Sequence, residues 1–209
     1  AQWRRGDALL LAEANVEPDQ LKQYFTDDSA NSRLHMLFDF MLNGRLVLGL
    51  ARQDPEPVID ALRDTPKLPD GTQWATFLRN HDEIDLSRLT AEQRADVFAE
   101  FGPEERMQVY GRGLRRRLPP MLDGDPRRVQ MVYSLLFSLP GTPVLFYGEE
   151  IGMGENLSAE GRLAVRTPMQ WTSGPNGGFS TADPGRLPGP VVDGGFAPRF
   201  VNVADQRRD

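Results

Sequence analysis

Apolar residues along the chain gather in four short runs, and three of them stop abruptly in acidic residues. Ala8-Leu9-Leu10-Leu11-Ala12 is uninterrupted and ends at Glu13-Ala14-Asn15. His35-Met36-Leu37-Phe38-Asp39-Phe40 is the second run. Trp74-Ala75-Thr76-Phe77-Leu78 is the third, and five polar residues follow it at once, Arg79-Asn80-His81-Asp82-Glu83. Thr142-Pro143-Val144-Leu145-Phe146-Tyr147 is the fourth, ahead of Gly148-Glu149-Glu150. Continuous apolar runs of this length suit strands buried on both faces, as in a parallel sheet.

Helical signals separate the runs. Glu17-Pro18-Asp19 opens a short helix toward Phe25. Asp54-Pro55 offers a cap with proline at the first helical position, and Val58, Ile59 and Leu62 follow at helical spacing. Thr90-Ala91-Glu92-Gln93 is a capping box and predicts a helix from about Ala91 to Phe101. Asp125-Pro126 starts another, with Val129, Val132, Tyr133, Leu136 and Phe137 as its apolar stripe and Pro140-Gly141 as its stop. From Ser173 onward Gly and Pro dominate, which predicts irregular loops with little core of their own. No internal repeat of fixed period is present. Strands alternating with helices predict an α/β fold built on a parallel sheet.

In parallel α/β folds the reactive groups sit at the carboxyl ends of strands. Glu13, Asp82 and the Glu149-Glu150 pair occupy such ends. Each also has a plainer reading. Asp82 suits a capped loop as well as a site. Adjacent Glu149 and Glu150 point opposite ways in extended chain, so at most one faces the centre. His35 reads as a half-buried strand residue, and Asp39 as a strand end with the option of facing a pocket. Trp74 and Trp171 suit stacking on a ligand or core packing equally. Arg79 is placed to pair with a site carboxylate. Arg115-Arg116-Arg117 reads as a solvated face, since no aromatic residue interleaves it.

Composition narrows the chemistry. The 209 residues fit one large domain or part of a larger one. With 24 Lys+Arg against 30 Asp+Glu, the net charge of -6 gives no broad basic field, which argues against nucleic acid as a partner. The absence of cysteine excludes disulfides, thiolate metal sites and a thiol nucleophile, and fits a reducing, cytoplasmic setting. Two histidines, His35 and His81, are too few for a histidine-rich metal site. The basic pair Arg4-Arg5 ahead of Ala8 to Ala12 looks like a signal peptide, but Glu13 cuts the apolar run short. Pro140, Gly141 and Pro143 break the longest apolar zone, Val129 to Tyr147, so it is no membrane span. Converging carboxylates without thiols or clustered histidines suit proton transfer and oxocarbenium stabilisation.

Phe77-Leu78-Arg79-Asn80-His81-Asp82-Glu83 closely resembles the fourth signature region of glycoside hydrolase family 13, the α-amylase superfamily. Leu10-Leu11-Ala12-Glu13-Ala14-Asn15 resembles the third, at the end of the fifth barrel strand. Gly141 to Met153 resembles the eighth strand and its loop, and Val165-Arg166-Thr167-Pro168-Met169-Gln170-Trp171 resembles a segment of the α-glucosidase-like subfamilies. The Glu-Ala-Asn and Asn-His-Asp-Glu-Ile combination is most similar to the trehalose synthases, which interconvert maltose and trehalose.

The resemblance implies a partial (β/α)8 TIM barrel, its fifth to eighth strands with their helices. Residues 1–172 would be the second half of the catalytic barrel, and 173–209 would lead toward a C-terminal β domain. It implies Glu13 as general acid/base and Asp82 as the carboxylate that grips sugar hydroxyls and stabilises the transition state. His81 and Arg166 would bind the sugar, and Asn15 and Glu83 would help close the pocket. The expected nucleophile, an aspartate ending the fourth strand, lies upstream of Ala1, so the chain alone is expected to be inactive. Leu163 stands where relatives carry Asp, which puts a role for Arg162 in doubt. No cofactor or metal ligand is implied within these residues, although relatives hold structural calcium elsewhere. The implied partners are a small α-glucoside (maltose, trehalose or glucose) and the remainder of the barrel, with no membrane, and a homo-oligomer stays open. Hydrolysis of short α-glucosides and a non-catalytic sugar-binding role stay open beside glucosyl transfer.

Overall fold

The computed structural model describes residues 8–17, 20–25 and 34–208, with Lys22 in backbone only. The sequence features at Ala1 to Asp7 and at Pro18-Asp19 lie outside the described residues. In chain order the regular elements are β1 (Leu11–Ala12), α1 (Leu21–Phe25), β2 (Met36–Phe38), α2 (Phe40–Arg52), α3 (Glu56–Asp64), β3 (Gln73–Phe77), β4 (Ile84–Asp85), α4 (Ala91–Phe101), β5 (Gln108–Val109), β6 (Gly113–Leu114), α5 (Leu118–Met121), α6 (Pro126–Ser138), β7 (Thr142–Val144) and α7 (Val203–Gln206). The four apolar runs form one sheet in the order β1-β2-β3-β7, and every pairing is parallel. The strands are shorter than the runs. β1 takes only Leu11 and Ala12, and β7 ends at Val144, three residues before Tyr147.

Between β3 and α6 the chain folds a second, antiparallel sheet, β4-β6-β5, which the sequence reading did not anticipate. Each of its strands is two residues long, too short to carry an alternation. Tyr110 and Gly111 form its tip, both at positive φ.

The Phe40–Arg52 helix was also not anticipated. It follows β2 without a polar break. Asp39 is the boundary: its Oδ1 accepts from Leu42 N at 2.9 Å and satisfies a first-turn donor. Asp39 therefore caps a helix, and it also lines a small cavity with Asn15 and Trp74. Burial pushes its carboxyl up, and the backbone donors of Leu42 and Met41 oppose that. The Thr90 capping box forms as expected, with Thr90 Oγ1 accepting from Gln93 N at 3.2 Å and Gln93 Oε1 accepting from Thr90 N at 3.0 Å.

The main core lies between the sheet and the helices. Leu42, Leu46 and Leu48 of α2, Val97 and Phe101 of α4, and Val132 and Leu136 of α6 are all buried in it. Each such side chain contributes about 1.5–3 kcal/mol by leaving water. Phe137 is 60% exposed and falls off the stripe. At about 100° per residue it sits well round the helix from Val132 and Leu136. Trp74 packs edge-on against Phe25 at 5.9 Å in a smaller cluster. Its core reading holds, whereas Trp171 is exposed. β1 and β7 are the two edges of the parallel sheet, and Leu9, Leu11, Leu145 and Tyr147 are exposed along them. Residues 173–202 wrap on this body through three 3-10 turns, with Val192, Phe196 and Val201 against Met153 and Met169. Among the described residues no helix is long and apolar enough to cross a membrane.

Candidate active site

The polar ends of β1 and β3 meet. Ligand-type atoms of Glu13, His81 and Asp82 all lie within 4.8 Å of one another. His81 Nε2 is 3.8 Å from Glu13 Oε1 and 3.7 Å from Asp82 Oδ1. Asn80 joins the two segments: its Nδ2 donates to Glu13 Oε1 at 3.3 Å, and its Oδ1 accepts from Asp82 N at 3.0 Å. The second bond is an Asx turn, which bends the chain as β3 ends. Asn43 of α2 donates to the carbonyls of Phe77 and Leu78, at 2.9 and 3.0 Å, and so satisfies the backbone the strand leaves unpaired. No helix follows Asp82 directly, and α4 has its own cap in Thr90. The capped-loop reading of this stretch therefore does not hold.

Two arginines from the loop after β7 reach back to the same place. Arg166 ion-pairs with Asp82 Oδ1 and donates from Nε to His81 O at 2.7 Å. Arg162 Nη1 is 3.0 Å from Asp82 Oδ2. Its Nη2 donates to Glu83 Oε1 at 3.2 Å, and its Nε stands 2.6 Å from Glu83 Oε2 off the N–H axis, an ion pair without an aligned hydrogen bond. Arg162 also lies over the Tyr110 ring at 5.5 Å. Glu83 is buried, with Arg112 at 3.9 Å as a further cation. Gly113 of β6 backs it: a Cβ there would stand 2.7 Å from Glu83 Cγ.

Asn15 is engaged elsewhere. Its Nδ2 donates to Asp85 Oδ2 at 3.1 Å, and its Oδ1 accepts from Arg88 Nε at 2.8 Å. Burial pushes the Asp85 carboxyl up, but donors from Ser87 and Asn15 together with Arg112 outweigh it, and Asp85 sits below its ordinary range. Three carboxylates (Asp82, Glu83, Asp85) thus face three guanidinium groups (Arg112, Arg162, Arg166), while Arg88 pairs with Glu17 and holds Asn15. Glu13, His81 and Asp82 also have the spacing to grip a cation, but the two arginines on Asp82 compete with one by charge.

The loop that carries Arg162 and Arg166 rests on Arg115, Arg116 and Arg117. This corrects the solvated-face reading of those three. Arg115 donates to the carbonyls of Leu157 and Ala159 at 2.7 and 2.6 Å. Arg116 pairs with Glu155 at 2.5 Å. Arg117 is wholly buried, donating to Tyr147 O at 2.8 Å, to Val165 O at 2.9 and 3.2 Å, and to Glu149 Oε1 at 3.1 Å. Its guanidinium lies over the Phe146 ring at 4.6 Å. Of the glutamate pair, Glu149 turns inward and Glu150 is exposed. Burial pushes the Glu149 carboxyl up, against the pull of Arg117, Arg79 and the Tyr133 hydroxyl. Arg79 is buried beside this pair and not on a site carboxylate. Burial pushes it down to about 10 despite Glu149 nearby.

A cavity of about 630 Å³ lies away from this constellation, between α2, α3 and α6. Its walls are mostly aliphatic side chains such as Leu46, Val58 and Leu135, with Gln53, Asp54, Glu100 and Arg128 also in the lining. The cluster of Glu13, His81 and Asp82 is at the strand ends instead. Sequence reading found Glu13, His81, Asp82 and Arg166 there, but doubted Arg162 and assigned nothing to Asn80. The one available signal for Arg162 was its spacing, four residues before Arg166.

Residues 116–206 match the family model described as Alpha amylase, catalytic domain. "Trehalose synthase/amylase TreS" of Mycobacterium tuberculosis is 45% identical over 202 residues, covering 95% of this chain and 33% of that protein. "Trehalose synthase" of Thermus thermophilus is 40% identical over 203 residues, covering 96% of this chain and 21% of that protein. The chain thus spans about a third or less of the length of these relatives. An α-amylase structure from H. orenii superposes with a TM-score of 0.60 at 18% identity, covering 97% of this chain and 33% of that one. Sucrose 6F-phosphate phosphorylase from Thermoanaerobacter thermosaccharolyticum superposes at 0.61 and 17% identity, over 79% of this chain and 36% of that one. Those two likenesses speak for the α/β fold. By the sequence match along nearly its whole length, the chain belongs to the α-amylase superfamily, glycoside hydrolase family 13.

Proposed function

We propose that the chain supplies the acid/base and sugar-gripping half of a maltose–trehalose glucosyl-transferring site. In this reading β1, β2, β3 and β7 are the fifth to eighth strands of an eight-stranded barrel, and the rest of the full chain brings the nucleophilic carboxylate. The observation that carries it is the meeting of Glu13, His81 and Asp82 at two strand ends. Glu13 protonates the oxygen leaving the anomeric carbon while the nucleophile takes its place. It then removes the proton from the attacking hydroxyl of the bound glucose, so a new glycosidic bond replaces the old one with configuration retained. Asp82 and His81 hold the hydroxyls of the ring that flattens, and their hydrogen bonds strengthen in the transition state. Arg166 fixes Asp82 from one side. Asn15 and Glu83 take part through the polar network around them, which keeps the pocket wall in shape.

Hydrolysis is the second reading, favoured by the double name carried by the mycobacterial relative, trehalose synthase/amylase. Product analysis on maltose with the full chain separates the two. Trehalose as the main product is the expected result. Glucose alone would sink the transferase reading in favour of an α-glucosidase.

A further inference from the structure

We propose that Arg162 is a positioning residue that locks Asp82 to the pocket wall and keeps water out during glucosyl transfer, an inference that rests on the proposed transfer reaction. Arg162 engages two adjacent carboxylates through different nitrogens: Nη1 at Asp82 Oδ2, and Nη2 and Nε at Glu83. With Arg166 on Oδ1, both oxygens of Asp82 are tied, and its carboxylate plane is fixed. Each carboxylate oxygen keeps lone pairs for a sugar hydroxyl. Fixing the plane spares the reorganisation a mobile carboxylate would undergo as the transition state forms.

The same guanidinium joins three separate pieces of chain. It stands on the 3-10 turn Gly161–Val165, reaches the bend after β3, and lies under Tyr110 at the tip of the β5–β6 hairpin. Glu83 anchors it from the buried side, where its side chain is only 3% exposed. Tyr110 itself is 58% exposed, with its hydroxyl 3.6 Å from the Cβ position of Gly161 on the same turn. Loss of the fork frees the hairpin tip and the turn from Asp82 together. That admits water, and water competes with the released glucose for the glucosyl-enzyme.

The test compares Arg162→Met and Arg162→Lys in the full chain on maltose, with glucose and trehalose quantified separately. The Met variant is expected to lose roughly 10–100-fold in kcat, the scale of a misplaced catalytic group, with KM changed far less. Its glucose-to-trehalose ratio is expected to rise several-fold. The ratio is independent of how much enzyme is folded, so a general structural defect would not move it. The Lys variant keeps the charge but loses the fork, and is expected to recover part of kcat while its ratio stays raised. A ratio equal to wild type in Arg162→Met overturns the proposal, whatever happens to the rate. If the wild-type enzyme makes only glucose, the transferase reading has failed on its own. The positioning role is then decided by kcat for hydrolysis: partial recovery by Lys over Met supports it, and equal activity of all three enzymes overturns it.

Discussion

Replacing Arg117 with Met removes the support beneath the site loop and leaves a buried carboxylate without its main partner. The wild-type guanidinium makes four hydrogen bonds, to Tyr147 O, twice to Val165 O and to Glu149 Oε1, with no exposed surface. A Met side chain fills much of the volume but donates nothing. Breaking a buried pair by removing one partner costs about 3–5 kcal/mol. Two carbonyls also lose donors at about 1–3 kcal/mol each where water cannot reach them. These terms are not additive, so the expected loss at neutral pH is about 4 kcal/mol, a large share of the roughly 5–15 kcal/mol that holds a domain together. The pH dependence carries the mechanism. Burial already raises the folded-state pKa of Glu149 above its ordinary 4.5, with Arg117 pulling against it. Without Arg117 it rises further. A raised folded pKa means that the stability contribution is intact below the unfolded pKa and is lost as pH climbs through the folded value. The deficit of Arg117→Met should therefore grow from pH 5 to pH 8, at up to about 1.4 kcal/mol per pH unit for one group. Urea unfolding followed by tryptophan fluorescence at both pH values measures it. Arg117→Met/Glu149→Leu should be more stable than the single variant at pH 8, since an apolar pair replaces an orphaned charge. A deficit below about 1 kcal/mol, or one equal at pH 5 and 8, would refute the buried-pair account.

Asp82→Asn in the full chain should lower kcat/KM on maltose by roughly 10²–10³-fold, the scale of one lost transition-state contact, and Glu13→Gln by roughly 10²–10⁴-fold. Steady-state kinetics checks both, and near-normal activity in either would remove that residue from the chemistry. Thr90→Ala deletes the capping box of α4 and should cost about 1 kcal/mol, read as a shift in the urea midpoint at constant slope. Leu136→Ala empties a fully buried position in the main core and should cost about 2–5 kcal/mol, whereas Phe137→Ala one residue on, on the exposed side, should stay within about 0.5 kcal/mol.

The parts legible in the sequence were those that signal locally. The four apolar runs form the parallel sheet, because a strand buried on both faces needs little beyond apolar side chains. Thr90 and Gln93 announced α4 through a motif closed within four residues. The α2 helix escaped because Phe40-Met41-Leu42 continues the apolar run of β2, and the single boundary signal, Asp39, also suited a strand end. The antiparallel sheet escaped because its strands are two residues long, and β4 finds its partners on β6 about 30 positions away. Arg115 to Arg117 escaped for a different reason. Composition says that three consecutive arginines face water. Only the fold supplies Glu149, Glu155 and the bare carbonyls of 147, 157, 159 and 165 that let them turn inward. At the site, strand-end position found Glu13 and Asp82, but nothing along the chain shows that Arg162 would meet a carboxylate 80 residues earlier.

Gly113 sets a rule for how the hairpin over the site can vary. It pairs with Asp85 and leaves the volume that Glu83 fills, so a slip of one residue would drive Arg112 or Leu114 against that carboxylate. At Gly111, by contrast, nothing stands within 4 Å of an added Cβ. Insertions and deletions in this hairpin are therefore confined to its tip. The reach of Tyr110 toward Arg162 can be lengthened or shortened, while the registration of the strands beneath it is fixed by the acid they shelter.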